Sequence, residues 1–68
     1  MNKTKNQFVK GFEYAEKYHS ASLKKLPDSE IENMINVFMK DYRENGNYNA
    51  AGMAEYYRKY LKQRRAVE

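Results

Sequence analysis

Cysteine is absent from all 68 residues, which excludes disulfides and thiolate metal sites, the usual supports of so short a chain. Histidine occurs once, at His19, so no pair of imidazoles is available for a metal centre. The chain also lacks a nucleophile elbow, a phosphate-binding glycine loop and zinc-ligand spacing. Long hydrophobic runs are missing too. Mean hydropathy is -1.10, and no window approaches the roughly 20 apolar residues that a membrane span needs, so no membrane association is expected. Lys3 and Lys5 stand near the start, but Lys10, Glu13 and Glu16 interrupt before any apolar stretch of leader length, and a cytoplasmic location is expected.

These absences remove most chemistry. His19 lies three residues from Glu16, a spacing that suits a base and its orienting carboxylate, but it ends an apolar stripe and reads as a packing residue. Glu30 and Glu32 open a helix, where negative charge complements the dipole. The expectation is therefore a protein that is not an enzyme, with no catalytic residue, no metal ligand and no cofactor. A domain of this size buries only about 60% of the surface its unfolded chain exposes. Helix packing, a partner, or self-association into a homo-oligomer must supply its stability.

What the chain does contain is cations and tyrosine. Its net charge is +4, with seven tyrosines. Residues 1–26 carry six lysines against Glu13 and Glu16, and residues 27–48 are acidic through Asp28, Glu30, Glu32, Asp41 and Glu44. Residues 49–68 are basic again through Arg58, Lys59, Lys62, Arg64 and Arg65. An acidic segment between two basic ones can be partly neutralised within the fold.

Periodicity and punctuation predict a compact all-α three-helix bundle, with helices over about 5–20, 29–45 and 49–65 in a single domain, 1–68, ending in a frayed tail, 66–68. Thr4 and Gln7 have capping-box spacing, and Phe8, Phe12, Ala15 and His19 form the first inner stripe. Gly11, costly inside a helix, is expected where another backbone approaches closely. Residues 20–28 read as a linker. After Pro27, Ser29 and Glu32 form a second capping box, and Ile31, Met34, Ile35, Phe38, Met39 and Tyr42 recur at helical spacing. This second helix is expected to be the keystone, with Phe38 central enough that its truncation would cost about 3–5 kcal/mol. Asn45 and Gly46 end it in a left-handed cap, and Asn47 or Asn49 caps the third. The third helix has Ala50, Met53, Ala54, Tyr57 and Leu61 inside and small residues at its start for close packing.

The link Asn45–Tyr48 has the length of a helix-turn-helix turn, but the residues that would meet base edges, Asn49, Ala51, Gly52 and Glu55, include no cation. The candidate binding residues are instead Tyr56, Arg58, Lys59, Tyr60, Lys62, Arg64 and Arg65 of the third helix, rings beside cations as at many interfaces. Arg64 and Arg65 follow the last inner residue, Leu61, and are expected to add little to packing. The expected function is that of a small regulatory or accessory protein whose third helix engages nucleic acid or an acidic protein surface of a nucleic-acid-handling complex. The other reading is an inhibitor or adaptor that docks on a larger enzyme through tyrosines, among them Tyr14, Tyr48 and Tyr56, without touching nucleic acid. In composition alone the chain resembles small accessory proteins of phages and mobile elements.

Overall fold

The computed structural model describes residues 3–67, all of it helix and short connections: α1 (Lys3–Tyr18), α2 (Ser20–Leu23), α3 (Asp28–Asn45) and α4 (Tyr48–Ala66). The described residues thus form four helices rather than three. The additional one, α2, is a single turn in the expected linker. His19 keeps a right-handed helical backbone between α1 and α2, and no glycine or proline intervenes before Pro27. That turn carries Leu23 into the core, where it is fully buried. Thr4 lies inside α1 rather than at its cap. Ala66, expected to fray, is still helical and Val67 is the C-cap; Glu68 lies outside the described residues.

The ends of α3 and α4 show which local signals act. Pro27 precedes α3 with an extended backbone, and its carbonyl accepts from the amides of Glu30 and Ile31. The expected box between Ser29 and Glu32 does not form, because the helix already begins at Asp28. At the other end Gly46 adopts φ +66°, and its amide donates to the Tyr42 carbonyl at 2.9 Å. Asn47 is the cap of α4: its side-chain oxygen accepts from the Ala50 amide at 3.1 Å, while its amide nitrogen donates to Asp41 at 2.8 Å.

The helix at the centre is α4, not α3. Both α1 and α3 pack mainly on α4. Matched contacts of α1 with α4 rise together along both helices, Gln7 with Asn49 and Phe12 with Tyr56, so these two run parallel. Those of α3 run the other way, Tyr42 with Tyr48 and Phe38 with Tyr57, as its two-residue link to α4 requires. Ala15, Leu23, Ile31, Ile35, Ala54, Tyr56, Tyr57 and Leu61 make up the core. Phe38 is only half-buried, which corrects its expected place as the central residue.

Two glycines set the α1–α4 distance. A Cβ on Gly52 would overlap the Phe8 carbonyl oxygen and stand 2.9 Å from the Phe12 amide nitrogen. A Cβ on Gly11 would overlap the Asn49 carbonyl oxygen. The close backbone approach expected of Gly11 is thus realised, with Gly52 as its counterpart.

Arg64 ties the connection between α2 and α3 to the end of α4. Its guanidinium donates to the Leu23 carbonyl at 2.6 Å, the Leu26 carbonyl at 2.8 Å and the Asp28 carboxylate at 2.8 Å, and it lies over the Tyr60 ring. The Leu23 carbonyl also accepts from the Leu26 amide at 3.2 Å, and this side chain adds a second, charged donor at the end of the short helix. Arg65 adds ion pairs to Asp28, at 3.4 Å, and to Glu32. The expectation that these arginines contribute little to packing is therefore corrected. Reversal of both, Arg64→Glu with Arg65→Glu, should abolish or severely weaken cooperative melting, whereas Arg65→Glu alone should be milder because that side chain is half exposed. Thermal unfolding followed by circular dichroism distinguishes these outcomes.

The hydrogen bond from Arg64, joined by that from Arg65, holds the Asp28 carboxyl below its ordinary range. Asp41 is lowered likewise by its bonds from Asn45 and Asn47. Each group titrates lower folded than unfolded, so its contribution is complete above the unfolded value and is lost as pH falls through the folded one. Melting temperature should therefore fall as pH drops through and below about 4, the ordinary range of an aspartate. Asp28→Asn should lower it at neutral pH and flatten this acid limb.

Candidate binding face

Placing the seven candidate residues on α4 separates them into two groups. Tyr56, Tyr60 and Arg64 are buried or half-buried against other parts of the chain, and Arg65, though half exposed, is held in ion pairs with Asp28 and Glu32. Tyr56 is 9% exposed and packs edge-to-face on Phe12 at 5.4 Å. Its expected exposure is corrected, because α1 crosses so close at Gly52 that a residue beside the inner stripe is covered as well. Desolvation by burial, with Glu16 and Tyr60 nearby, raises its phenol above the ordinary range, and burial does the same at Tyr57. Tyr60 is half-buried beneath Arg64 and accepts a hydrogen bond from it at 3.2 Å.

The other three, Arg58, Lys59 and Lys62, are exposed: Arg58 and Lys62 on the side of α4 between α1 and α3, and Lys59 toward Phe12 of α1. Arg58 has one weak partner, Glu55, at 3.6 Å one turn earlier. The Lys59 ammonium sits 5.5 Å from the centre of the Phe12 ring. Lys62 borders a hollow of about 520 Å³ between α3 and α4, with Ile35 and Leu61 among its walls and Glu32 and Arg65 at its edge. A second hollow of about 240 Å³ continues toward the start of α4, walled by Phe8, Met39, Tyr42, Tyr48 and Ala51. Arg58 lines both, so the two hollows adjoin at its side chain and together make a trough interrupted there.

No family model matches this chain, and neither a curated protein nor a solved structure shows significant similarity to it.

The hollow toward the start of α4 is walled mainly by apolar side chains, whereas the larger one sets Ile35 and Leu61 among Glu32, Asn36, Arg58, Lys62 and Arg65. The walls contributed by α3 and by Phe8 escaped sequence reasoning because they arise only when α1 and α3 flank the same helix. One signal pointed toward them: Ala50, Ala51, Gly52 and Ala54 spread small residues around α4, as suits a helix approached from several sides. On the opposite side, Phe38, Tyr57, His19, Tyr14 and Tyr18 form a chain of ring contacts with successive centroids 4.8 to 5.9 Å apart. His19 Nδ1 and the Tyr57 hydroxyl share a hydrogen bond at 2.7 Å, a packing position for this histidine. Tyr14 and Tyr18 at the outer end of that chain are 50% and 58% exposed, and Val37 on α3 is 66% exposed. Among the described residues no three acidic or histidine side chains are arranged to hold a metal ion, and no helix is long and apolar enough to cross a membrane.

Proposed function

We propose that this protein is a non-enzymatic, regulatory or accessory binding module that docks on an acidic protein surface through the uncovered side of α4. The observation that carries this reading is the trough itself: apolar side chains of α1, α3 and α4 line one hollow beside Arg58, and Ile35 with Leu61 line the other beside Arg58 and Lys62. Phosphate has no use for an apolar floor, whereas protein interfaces combine a dry centre with a polar rim. The rings that a single-strand stacking platform would present, Tyr56 and Tyr60, are packed inward. Glu55 stands within the cationic row and disfavours a phosphate backbone. Arg58, Lys59 and Lys62 would steer an acidic partner and set its register. The setting we infer is cytoplasmic, with a protein of a nucleic-acid-handling or other enzyme complex as partner.

The test is a double reversal, Lys59→Glu with Lys62→Glu. These side chains are exposed, so the melting temperature should change little. The immobilised wild-type protein should retain acidic proteins from a nuclease-treated lysate of its source cells, and the variant should lose them. Retention of nucleic acid instead, with a log affinity that falls steeply against log salt, would support the nucleic-acid reading and overturn this one.

A further inference from the structure

Resting on the protein-binding reading above, we infer that the trough is a seat for one amphipathic helix of the partner, apolar on one side and acidic on its flanks. The walls run along α4 from Tyr48 to Arg65, roughly 25 Å at about 1.5 Å per residue. Apolar side chains occupy both ends of that length, Phe8, Met39 and Tyr42 at one and Ile35 with Leu61 at the other. An extended segment laid there would place its amides and carbonyls over an apolar floor. The described residues form only helices, so no strand edge is offered to pair with them. A helix satisfies its own backbone and presents anchors one or two turns apart, matching an apolar floor in two sections. The rim then selects charge. Among the charged residues that line the two hollows, Arg58, Lys62 and Arg65 outnumber Glu32 and Glu55, with Lys59 exposed nearby, favouring carboxylates on the flanks of the incoming helix and repelling a basic one. A second copy of this chain is disfavoured as occupant, because each copy carries a net charge of +4 and the same cationic face.

The probe is a synthetic peptide of about 18 residues, long enough to span the trough as a helix. It carries leucines at i, i+3, i+4 and i+7 spacing, flanked by glutamates. Controls are the same composition with the leucine spacing scrambled, the same stripe flanked by lysines, and a duplex oligonucleotide. Amide chemical shifts of the full chain are followed during titration. The glutamate-flanked stripe should bind saturably, with the largest shifts at Met39, Ala51, Arg58 and Leu61. The scrambled and lysine-flanked peptides should bind at least about tenfold more weakly, as should the striped peptide with the Lys59→Glu, Lys62→Glu variant. Equal binding of the scrambled peptide, shifts centred on Tyr14 or Val37, tighter binding of the oligonucleotide, or no saturable binding would each overturn the proposal. If the lysate partner is lost on charge reversal while the striped peptide gives no shifts, protein binding stands and the helical occupant falls. If the lysate partner is unaffected as well, both fall.

Discussion

Gly52→Ala should nearly abolish the cooperative melting of this domain, although alanine is the better helix former. Propensity alone favours the substitution by about 1 kcal/mol. Against it stands a methyl group that would overlap the Phe8 carbonyl oxygen and press on the Phe12 amide. Those atoms belong to the backbone of α1, which cannot turn aside as a flexible side chain would. Overpacking of this kind costs about 3 kcal/mol or more, because the two helices must separate along their shared contact. A small domain is stable by only about 5 kcal/mol or somewhat more. Gly11→Ala should act in the same direction through Asn49. Gly46→Ala is the informative contrast. A Cβ there meets open space, and the cost is only the left-handed backbone, about 1 kcal/mol. Urea unfolding of the three variants should therefore rank Gly46→Ala well above the other two in stability.

The second large effect belongs to Tyr57. It is 1% exposed, shares contacts with Phe38 and His19, and stands on the one helix that both long neighbours use. Tyr57→Ala should cost about 3–5 kcal/mol and leave little folded protein. Phe38→Ala should cost clearly less, since half-buried Phe38 borders an open apolar hollow with Met34 and Val37 and removes less surface from water. Tyr57→Phe keeps the ring and loses the hydroxyl bond to His19, with an expected loss of about 1 kcal/mol. A melting temperature for Tyr57→Ala above that of Phe38→Ala would contradict the central position given to α4.

The helices that their own sequences punctuate were legible before any coordinates. The stripe of α3, the left-handed Gly46 and an asparagine cap on α4 all follow from local rules, the cap falling on Asn47 rather than on the alternative Asn49. Two local readings failed, the capping boxes at Thr4 and at Ser29, because each helix begins before them; the other failures lie where a residue's surroundings come from distant sequence. Tyr56 lies beside the inner stripe of α4 and reads as exposed, yet Gly52 lets α1 approach closely enough for Phe12 to cover it. Arg64 looks like a cation completing a helix dipole, but its partners Leu23, Leu26 and Asp28 lie 36 to 41 residues earlier. No periodicity within α4 carries that information. The candidate face divides for the same reason. Arg58, Lys59 and Lys62 remain on the surface, while the rest of the expected patch became part of the fold.

Photocrosslinking in the source cells tests the central claim, that the uncovered side of α4 meets an acidic protein. A photoreactive side chain in place of Lys62, compared with one in place of Val37 or Tyr14, reports which face a partner touches. The account predicts protein adducts from position 62, resistant to nuclease and lost when Arg58 and Lys59 are reversed to glutamate, with the joined partner segment acidic and amphipathic. Adducts confined to positions 14 and 37, or adducts at position 62 made of nucleic acid, would contradict it.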